Sequence, residues 1–308
     1  MKILILLPTW LGDTIMATPA IENLSNLYKD PKITLIGSMI AIEALKNHPK
    51  VTNTYVLDKQ IITLYQTLKK LEEFDFFFSF RGSFRAGVIK FFISSKRKFK
   101  FNKNTYSYGH QVQKYNNFIN NSLNIKSIPS NLLLNYERKK QDKKNKLLGI
   151  NPGASYGNAK RWYPDEFAKV AIDLSSQYDI VILGGTKEED IGLDIEKHLI
   201  NKGVNNYRNL VNKTSIQELI NQISNLDLFI TGDSGPMHLA AAFQIPTVSI
   251  FGPTKDNETS QWMNSKSAIV KKNLDCQPCM RRSCPLQHHK CMKLVKASDV
   301  LAEVKKLS

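Results

Sequence analysis

The sequence is poor in cysteine, in acidic residues and in long apolar runs. No cysteine precedes Cys276, and all four fall in one segment near the carboxyl end. A disulfide framework is therefore not expected in what we take to be an intracellular chain. No stretch approaches about 18 unbroken apolar residues, so no membrane-spanning helix is predicted. The five apolar residues that follow Lys2 are too few for a signal peptide and instead predict a first buried strand.

Acidic residues number 27 against 43 lysines and arginines, which leaves a net charge of +16. Such a balance favours anionic partners, namely nucleic acid, an anionic membrane surface or a phosphorylated substrate. The 308 residues, of which 42% are hydrophobic, are enough for about two domains with real cores. We expect a protein that is soluble or bound peripherally to a membrane.

Short apolar runs alternate with amphipathic ones in two successive series, which predicts an α/β fold of two doubly wound, Rossmann-like domains. Strands are predicted at Lys2–Leu7, Ile33–Ile36, Thr54–Leu57, Phe74–Phe80, Lys146–Asn151, Ile180–Gly184, Leu228–Thr231 and Thr247–Phe251. Helices are predicted at Asp13–Tyr28, Ile40–Lys46, Ile61–Leu71, Asp165–Gln177, Glu188–Asn201, Ser215–Ser224 and Pro236–Phe243. We expect the two domains to face each other across a cleft, with ligands beyond the carboxyl ends of the strands.

The domain boundaries follow from a charged run, Glu137–Lys146, which has no apolar anchor and is interpreted as a linker. The first domain is predicted at 1–140 and the second at 147–297. A terminal helix at 298–308, capped by Ser298, is expected to pack back on the first domain.

Two loops that follow predicted strands carry groups suited to chemistry. In "TWLGDTIMATPA", Gly12 permits a tight turn and Asp13 falls at a helix start, either as the helix cap or as a general base. In "NPGASYGNAKRW", a basic turn or an anion site is possible. Its anion-binding groups would be the glycines Gly153 and Gly157, the Ser155 hydroxyl and the Lys160 ammonium.

Two further loops complete the predicted site. In "LGGTKEED", Glu188 or Glu189 is either a ribose ligand or a residue of a capped helix start. In "FITGDSGPMHLAAA", a turn precedes a helix whose amino end is suited to a diphosphate. That turn comprises Gly232, Asp233, Ser234 and Gly235. His238 follows in the helix, as a ligand-facing group or as a packing histidine.

Two other segments have alternative interpretations. Phe84–Lys103 mixes aromatic and basic residues, which favours either a helix followed by a solvated edge strand or a surface for anionic lipid. Cys276, Cys279, Cys284 and Cys291 have the spacing C-x2-C-x4-C-x6-C. They form either a structural zinc site or a set of reduced, packed thiols.

Three motifs together carry a resemblance that covers nearly the whole chain. They are "LGDTIMATPAI", "NPGASYGNAKRW" and "GDSGPMHLAAA" followed by "PTVSIFGPT". In their order and spacing they resemble glycosyltransferase family 9, the heptosyltransferases of lipopolysaccharide, and most of all the heptosyltransferase II branch. The resemblance implies a GT-B fold, an ADP-heptose donor and a heptosyl-Kdo2-lipid A acceptor that receives the second heptose. It also implies inversion at the anomeric carbon without a catalytic metal.

The resemblance assigns roles to particular residues. Asp13 matches the family's proposed general base, and Lys160 matches the lysine that holds the donor phosphates. Asp233 matches a carboxylate near the donor sugar. Ser234, Gly235 and His238 match the groups around the diphosphate.

Alternatives remain within and beyond this class. The chain would otherwise add the first or a later heptose, or be a nucleotide-sugar epimerase of GT-B fold. A nucleic-acid-binding protein is disfavoured because no known basic and aromatic module is present. We expect no cofactor in catalysis, an anionic lipid A-core acceptor, and a cytoplasmic protein held peripherally on the inner face of the cytoplasmic membrane.

Overall fold

A computed structural model describes residues 1–58, 60–139 and 145–307. The chain divides into two compact units, residues 1–137 and 138–308. The division falls at the start of the charged run predicted as a linker, and residues 140–144 of that run lie outside the described residues. Among the described residues, no helix is long and apolar enough to cross a membrane.

The first unit is a parallel sheet of five strands in the order β3-β2-β1-β4-β5. The strands are β1 (Lys2–Leu6), β2 (Lys32–Gly37), β3 (Val51–Val56), β4 (Phe74–Ser79) and β5 (Ser95–Lys100). The central strands β1 and β4 are almost wholly buried, as expected for strands covered by helices on both faces. The basic strand β5 lies at the sheet edge, which confirms the predicted solvated edge strand.

In the described part of this unit, six helices accompany the sheet: α1 (Leu11–Met16), α2 (Thr18–Asn26), α3 (Met39–Leu45), α4 (Ile61–Lys69), α5 (Phe84–Phe92) and α6 (Gln111–Leu123). The predicted continuous helix at Asp13–Tyr28 is wrong, because it breaks at Ala17 into α1 and α2. Pro19 has no N–H to donate to the Ile15 carbonyl one turn earlier. The Thr18 hydroxyl donates to that carbonyl instead, at 2.7 Å.

The second unit is a parallel sheet of six strands in the order β11-β10-β9-β6-β7-β8. The strands are β6 (Lys146–Asn151), β7 (Tyr178–Ile182), β8 (Tyr207–Asn209), β9 (Leu228–Gly232), β10 (Thr247–Ile250) and β11 (Ser267–Val270). The helices are α7 (Pro164–Leu174), α8 (Glu189–Asn201), α9 (Ile216–Ser224), α10 (Gly235–Ala242), α11 (Asp256–Thr259), α12 (Lys290–Lys293) and α13 (Ala297–Leu307). Two parallel, doubly wound units confirm the predicted Rossmann-like pair.

The terminal helix α13 is part of the second unit. It packs against α7 and β11 of the second unit. Its inward residues Val300 and Val304 are buried in that unit's own core, and the Ala297 N–H donates to the Glu166 carboxylate at 2.7 Å. The apolar face of this helix is thus covered within the second unit, and the expectation that the helix also packs back on the first unit stays a prediction.

Candidate functional site

The sheet order of the second unit brings three loops to one edge. Strands β10, β9 and β6 are neighbours and run parallel, so their carboxyl ends lie side by side. Those ends carry Thr254, Asp233 and Asn151, and the loop after β6 continues to Lys160. This edge is where open α/β sheets place their ligands.

A buried ion pair lies at this edge. The Lys160 Nζ is 2.5 Å from the Asp233 Oδ2, and both side chains are largely buried. The Thr254 hydroxyl donates to the same carboxylate oxygen at 2.6 Å. The Lys160 ammonium also contacts the Asp233 carbonyl oxygen at 3.3 Å and lies 4.8 Å from the Tyr156 ring centroid. The structure thus brings together two residues that the sequence analysis had assigned to different loops.

The amino end of α10 opens beside this pair. Ser234 is its N-cap, and Gly235 and Pro236 form its first turn. The Asn151 side chain donates to the Ser234 hydroxyl at 3.1 Å, which ties the end of β6 to the start of the helix. First-turn N–H groups have no intrahelical partner, and the helix dipole adds partial positive charge. The predicted turn of Gly232, Asp233, Ser234 and Gly235 is therefore an anion-compatible helix start, whereas His238 is only 2% exposed and lies within the core.

Gly153 is required by a close approach from the neighbouring loop. A Cβ at Gly153 would lie 1.8–2.0 Å from the carboxyl atoms of Glu188. The Glu188 carboxylate is buried and accepts from the Gly185 N–H at 2.7 Å. Glu189 is exposed and accepts from Asn212 at 2.7 Å. Of the two candidate ribose carboxylates, only Glu188 therefore lies against the loop that carries Lys160.

A second segment, residues 276–292, packs on the loop that carries Lys160. A Cβ at Gly157 would lie 2.3 Å from the Arg282 carbonyl oxygen, and the Ala159 N–H donates to that same oxygen at 3.1 Å. The Tyr156 hydroxyl donates to the Met280 carbonyl at 2.7 Å. Gly157 therefore serves a backbone contact within the protein, and Ser155 is exposed at the turn.

The end of this loop is held by its own unit. The Trp162 indole N–H donates to the Val295 carbonyl at 3.0 Å, and the ring is buried against Phe167. Arg161 donates to the Lys187 carbonyl at 3.4 Å, which links the loops after β6 and β7. Trp162 thus anchors the loop to the core of the second unit.

The four cysteines line one cavity of about 20 Å³ together with His288 and His289. All four are free thiols. Burial first, and then the neighbouring thiols, raise the pKa of Cys291 to about 11, so it is protonated near neutral pH. Within residues 1–58, 60–139 and 145–307, no group of three or more Cys, His, Asp or Glu is arranged to hold a metal ion. The structural zinc site at these cysteines remains a prediction from their spacing.

Asp13 lies in the first unit, in the first turn of α1. Trp10 is the N-cap of this helix and Gly12 lies inside it, so Asp13 is not the cap and Gly12 does not form a preceding turn. Asp13 hydrogen-bonds Tyr115 of α6. The pKa of Tyr115 is raised well above its ordinary value, mainly by burial and then by the negative charge of Asp13.

Arg81 completes this cluster from the end of β4. Its Nε donates to the Leu7 carbonyl at 2.5 Å, and burial chiefly lowers its pKa to about 10. Four further residues of these two clusters were not predicted as site residues from the sequence, namely Tyr115, Arg81, Asn151 and Thr254. Thr254 was detectable, because it lies three residues after the predicted strand Thr247–Phe251, the next strand along the chain after the Asp233 loop. Tyr115 was not, because α6 had not been predicted.

Two parallel, Rossmann-like units with an anion-compatible strand edge are the architecture of the GT-B fold. Solved structures agree on the fold. The Escherichia coli ADP-heptose LPS heptosyltransferase II matches with a TM-score of 0.82 at 21% identity, over 100% of this chain and 98% of that one. The Escherichia coli heptosyltransferase WaaC with ADP matches with a TM-score of 0.80 at 13% identity, over the whole of both chains.

Sequence comparison then gives the family. The model of glycosyltransferase family 9 (heptosyltransferase) matches residues 61–290. Lipooligosaccharide heptosyltransferase 2 of Campylobacter jejuni subsp. jejuni serotype O:2 is 43% identical over 317 residues, with 100% of this chain and 98% of the relative covered. The corresponding protein of Haemophilus influenzae is 28% identical over 307 residues and 88% of each chain. The chain belongs to glycosyltransferase family 9.

Proposed function

We propose that the protein transfers L-glycero-D-manno-heptose from ADP-heptose to heptosyl-Kdo2-lipid A, adding the second heptose of the inner core. The observation that carries this is the buried cluster of Lys160, Asp233 and Thr254 at the strand edge, beside the amino end of α10. The similarity to proteins named lipooligosaccharide heptosyltransferase 2 over the full chain supports the choice of acceptor.

The second unit is proposed to bind the donor. An ammonium has three N–H donors, so the contact with Asp233 does not exhaust Lys160. A diphosphate at the start of α10 would accept from Lys160 and from the free N–H groups of the Ser234–Gly235 turn. Asp233 would then face the sugar rather than the phosphates, since two anionic groups repel each other. Glu188, which lies against Gly153, is the proposed ribose carboxylate.

Asp13 is proposed to be the general base of an inverting displacement. Its carboxylate takes the proton of the acceptor hydroxyl while that oxygen forms a bond to the anomeric carbon. The bond from that carbon to the phosphate oxygen breaks, and its electron pair leaves with ADP. Lys160 and the helix start stabilise the charge that develops on ADP, which is an electrostatic role. This proposal needs no catalytic metal.

Asp13→Asn and Lys160→Ala separate the two roles. Asp13→Asn should keep ADP affinity but lower turnover by about 10²–10⁴-fold, the usual loss on removing a general base. Lys160→Ala should weaken ADP binding about 10–100-fold, as expected for a lost charge-assisted hydrogen bond. Isothermal calorimetry and a coupled assay of ADP release measure both quantities. Asp173→Asn and Lys202→Ala, both at exposed positions, are the matched controls.

Lys160→Ala alone leaves the buried Asp233 unpaired, which is itself destabilising. The double variant Lys160→Ala/Asp233→Asn removes that charge, and its ADP affinity should be as low as that of the single variant. Unchanged ADP binding in the folded double variant would refute the phosphate role. Normal turnover in Asp13→Asn would refute the base.

Acceptors that bear zero, one or two heptoses test the acceptor assignment. With ADP-heptose as donor, we expect the highest kcat/KM for the acceptor that carries one heptose. The mass of the product, measured by mass spectrometry, gives the number of heptoses added. Preference for the heptose-free acceptor would instead assign the first transfer.

A further inference from the structure

Helix α5 of the first unit has two apolar faces, of which only one is covered. Ala86 and Ile89 point inward and are buried in the core beneath the sheet. Phe84 and Phe91 lie seven residues apart, which places them two turns apart on the opposite side of the helix. Phe84 is 88% exposed and Phe91 is 78% exposed. A surface helix ordinarily carries polar residues there, so this second stripe is unexplained by folding.

Exposed apolar residues next to the stripe extend it from α5 onto α4. Phe92 is 49% exposed, and its ring contacts both Phe91, at a centroid distance of 5.3 Å, and Tyr65 of α4, at 5.6 Å. Ile62 lies one turn before Tyr65 and is 73% exposed. We call Ile62, Tyr65, Phe84, Phe91 and Phe92 the aromatic face. Contiguous exposed apolar surface of this kind marks an interaction site.

Lysines surround the aromatic face. The Lys69 ammonium lies 4.7 Å from the Tyr65 ring centroid, and the Lys98 ammonium donates to the Phe91 carbonyl at 3.5 Å. The Lys100 Nζ is 3.6 Å from the position of a Cβ on Gly87, and Lys90 belongs to α5 itself. We call Lys69, Lys90, Lys98 and Lys100 the basic rim. The carboxylate on the neighbouring strand β4, Asp75, is occupied by Lys96 at 2.8 Å, so it does not neutralise this rim.

The pattern identifies the partner by its chemistry. Aromatic residues on one face of a helix with lysines at its flanks are typical of a segment that lies in the boundary between lipid headgroups and acyl chains. Each lysine near an anionic leaflet adds about 1 kcal/mol of attraction. An anionic bilayer satisfies both the apolar stripe and the charge, whereas a double-stranded nucleic acid would satisfy the charge but leave the stripe exposed.

We propose that the aromatic face and the basic rim dock the first unit on an anionic lipid bilayer, with Phe84 and Phe91 inserted below the headgroups. The docking rests on the proposed function, in which the acceptor is itself a lipid of the membrane. It holds the enzyme at the surface where that acceptor lies.

Vesicle sedimentation of the full chain tests the proposal. Vesicles of equal parts phosphatidylcholine and phosphatidylglycerol should bind the protein, and binding should fall as salt is raised. Phe84→Ser/Phe91→Ser should weaken this binding by about tenfold or more, since two apolar side chains no longer leave water. Lys90→Gln/Lys100→Gln should weaken it by about fivefold for each lysine removed.

The matched controls lie on and just after α8 of the second unit. Leu193 and Ile200 are also exposed apolar residues, at 58% and 59%, and Lys197 and Lys202 are exposed lysines. Leu193→Ser/Ile200→Ser and Lys197→Gln/Lys202→Gln should bind vesicles like the wild type. Circular dichroism verifies that every variant is folded, which we expect because the substituted phenylalanines are already in water.

Three outcomes would overturn the docking. They are equal binding to pure phosphatidylcholine vesicles, wild-type binding by Phe84→Ser/Phe91→Ser, and a dimer in light scattering that this variant abolishes. The last would assign the aromatic face to a second copy of the chain. Turnover of a deacylated, water-soluble acceptor distinguishes the two proposals. Phe84→Ser/Phe91→Ser and Lys90→Gln/Lys100→Gln should turn over this soluble acceptor like the wild type. A wild-type protein that binds vesicles but does not turn over the soluble acceptor would refute the proposed function and leave the docking proposal intact.

Discussion

At the scale of single residues, the ion pair between Lys160 and Asp233 is the clearest sign of function. Removing two charges from water is expensive, and their attraction repays that cost only when the geometry and the further hydrogen bonds are good. A well-packed pair of apolar side chains at these positions would stabilise the fold equally well. The buried pair therefore indicates a role in binding a charged ligand. The Thr254 hydroxyl, which donates to the Asp233 carboxylate at 2.6 Å, holds that carboxylate in place.

Gly153 offers a residue-scale prediction that depends on Glu188. In Gly153→Ala the new methyl group would overlap the Glu188 carboxyl atoms, which lie within 2.0 Å. The carboxylate must then leave its place, and ADP affinity and stability should both fall. In the double variant Gly153→Ala/Glu188→Ala the overlap is gone, so the two changes should be non-additive by about 0.5–3 kcal/mol. Urea unfolding with and without ADP measures this coupling.

Gly185→Ala is the control in the same site. A Cβ there would meet its nearest neighbour, Glu188 Oε2, at 3.9 Å, an ordinary contact. It should change stability by less than about 0.5 kcal/mol beyond the backbone effect of replacing glycine. Additive effects of Gly153→Ala and Glu188→Ala would show that the two residues do not act on each other.

At the scale of elements, chain segments remote in sequence hold the loop that carries Lys160. Residues 276–292 contact it through Met280 and Arg282, and His289 contacts the Ala159 carbonyl at 3.0 Å. Val295, just before α13, accepts the Trp162 indole N–H. The cysteine-bearing segment therefore shapes the loop that carries Lys160, and this role does not depend on whether the segment binds a metal.

Helix α13 supplies the element-scale prediction. Val300→Ala should lower the free energy of unfolding by about 2 kcal/mol, because it deletes buried methyl groups from a filled core. Tryptophan fluorescence in urea follows the change, since Trp162 and Trp262 both belong to the second unit. Lys305→Ala, at an exposed position of the same helix, should have little effect. A second-unit signal that is unaltered in Val300→Ala would contradict the packing of α13 described above.

At the scale of the whole molecule, the alternation of apolar runs correctly predicted two parallel α/β units. Periodicity sufficed there because central strands such as β1 and β4 are buried on both faces and leave continuous apolar runs. The apolar periodicity predicted helices wrongly where tertiary packing or a single residue overrides the local pattern. Helix α6 carries several asparagines and glutamines, which mask its buried face. Pro19 breaks a helix that the apolar spacing would continue.

The sequence by itself determined the fold class, the strand edge that is proposed to bind ligands and the chemical types of the groups there. These follow from local rules, because strands, turns and helix starts are encoded by residues near one another. Only the tertiary structure decided that Lys160 pairs with Asp233, 73 positions away. It also decided that Glu188 rather than Glu189 meets Gly153 and that α13 belongs to the second unit. Such contacts depend on the order of strands in the sheet and on the directions of side chains, neither of which local spacing specifies.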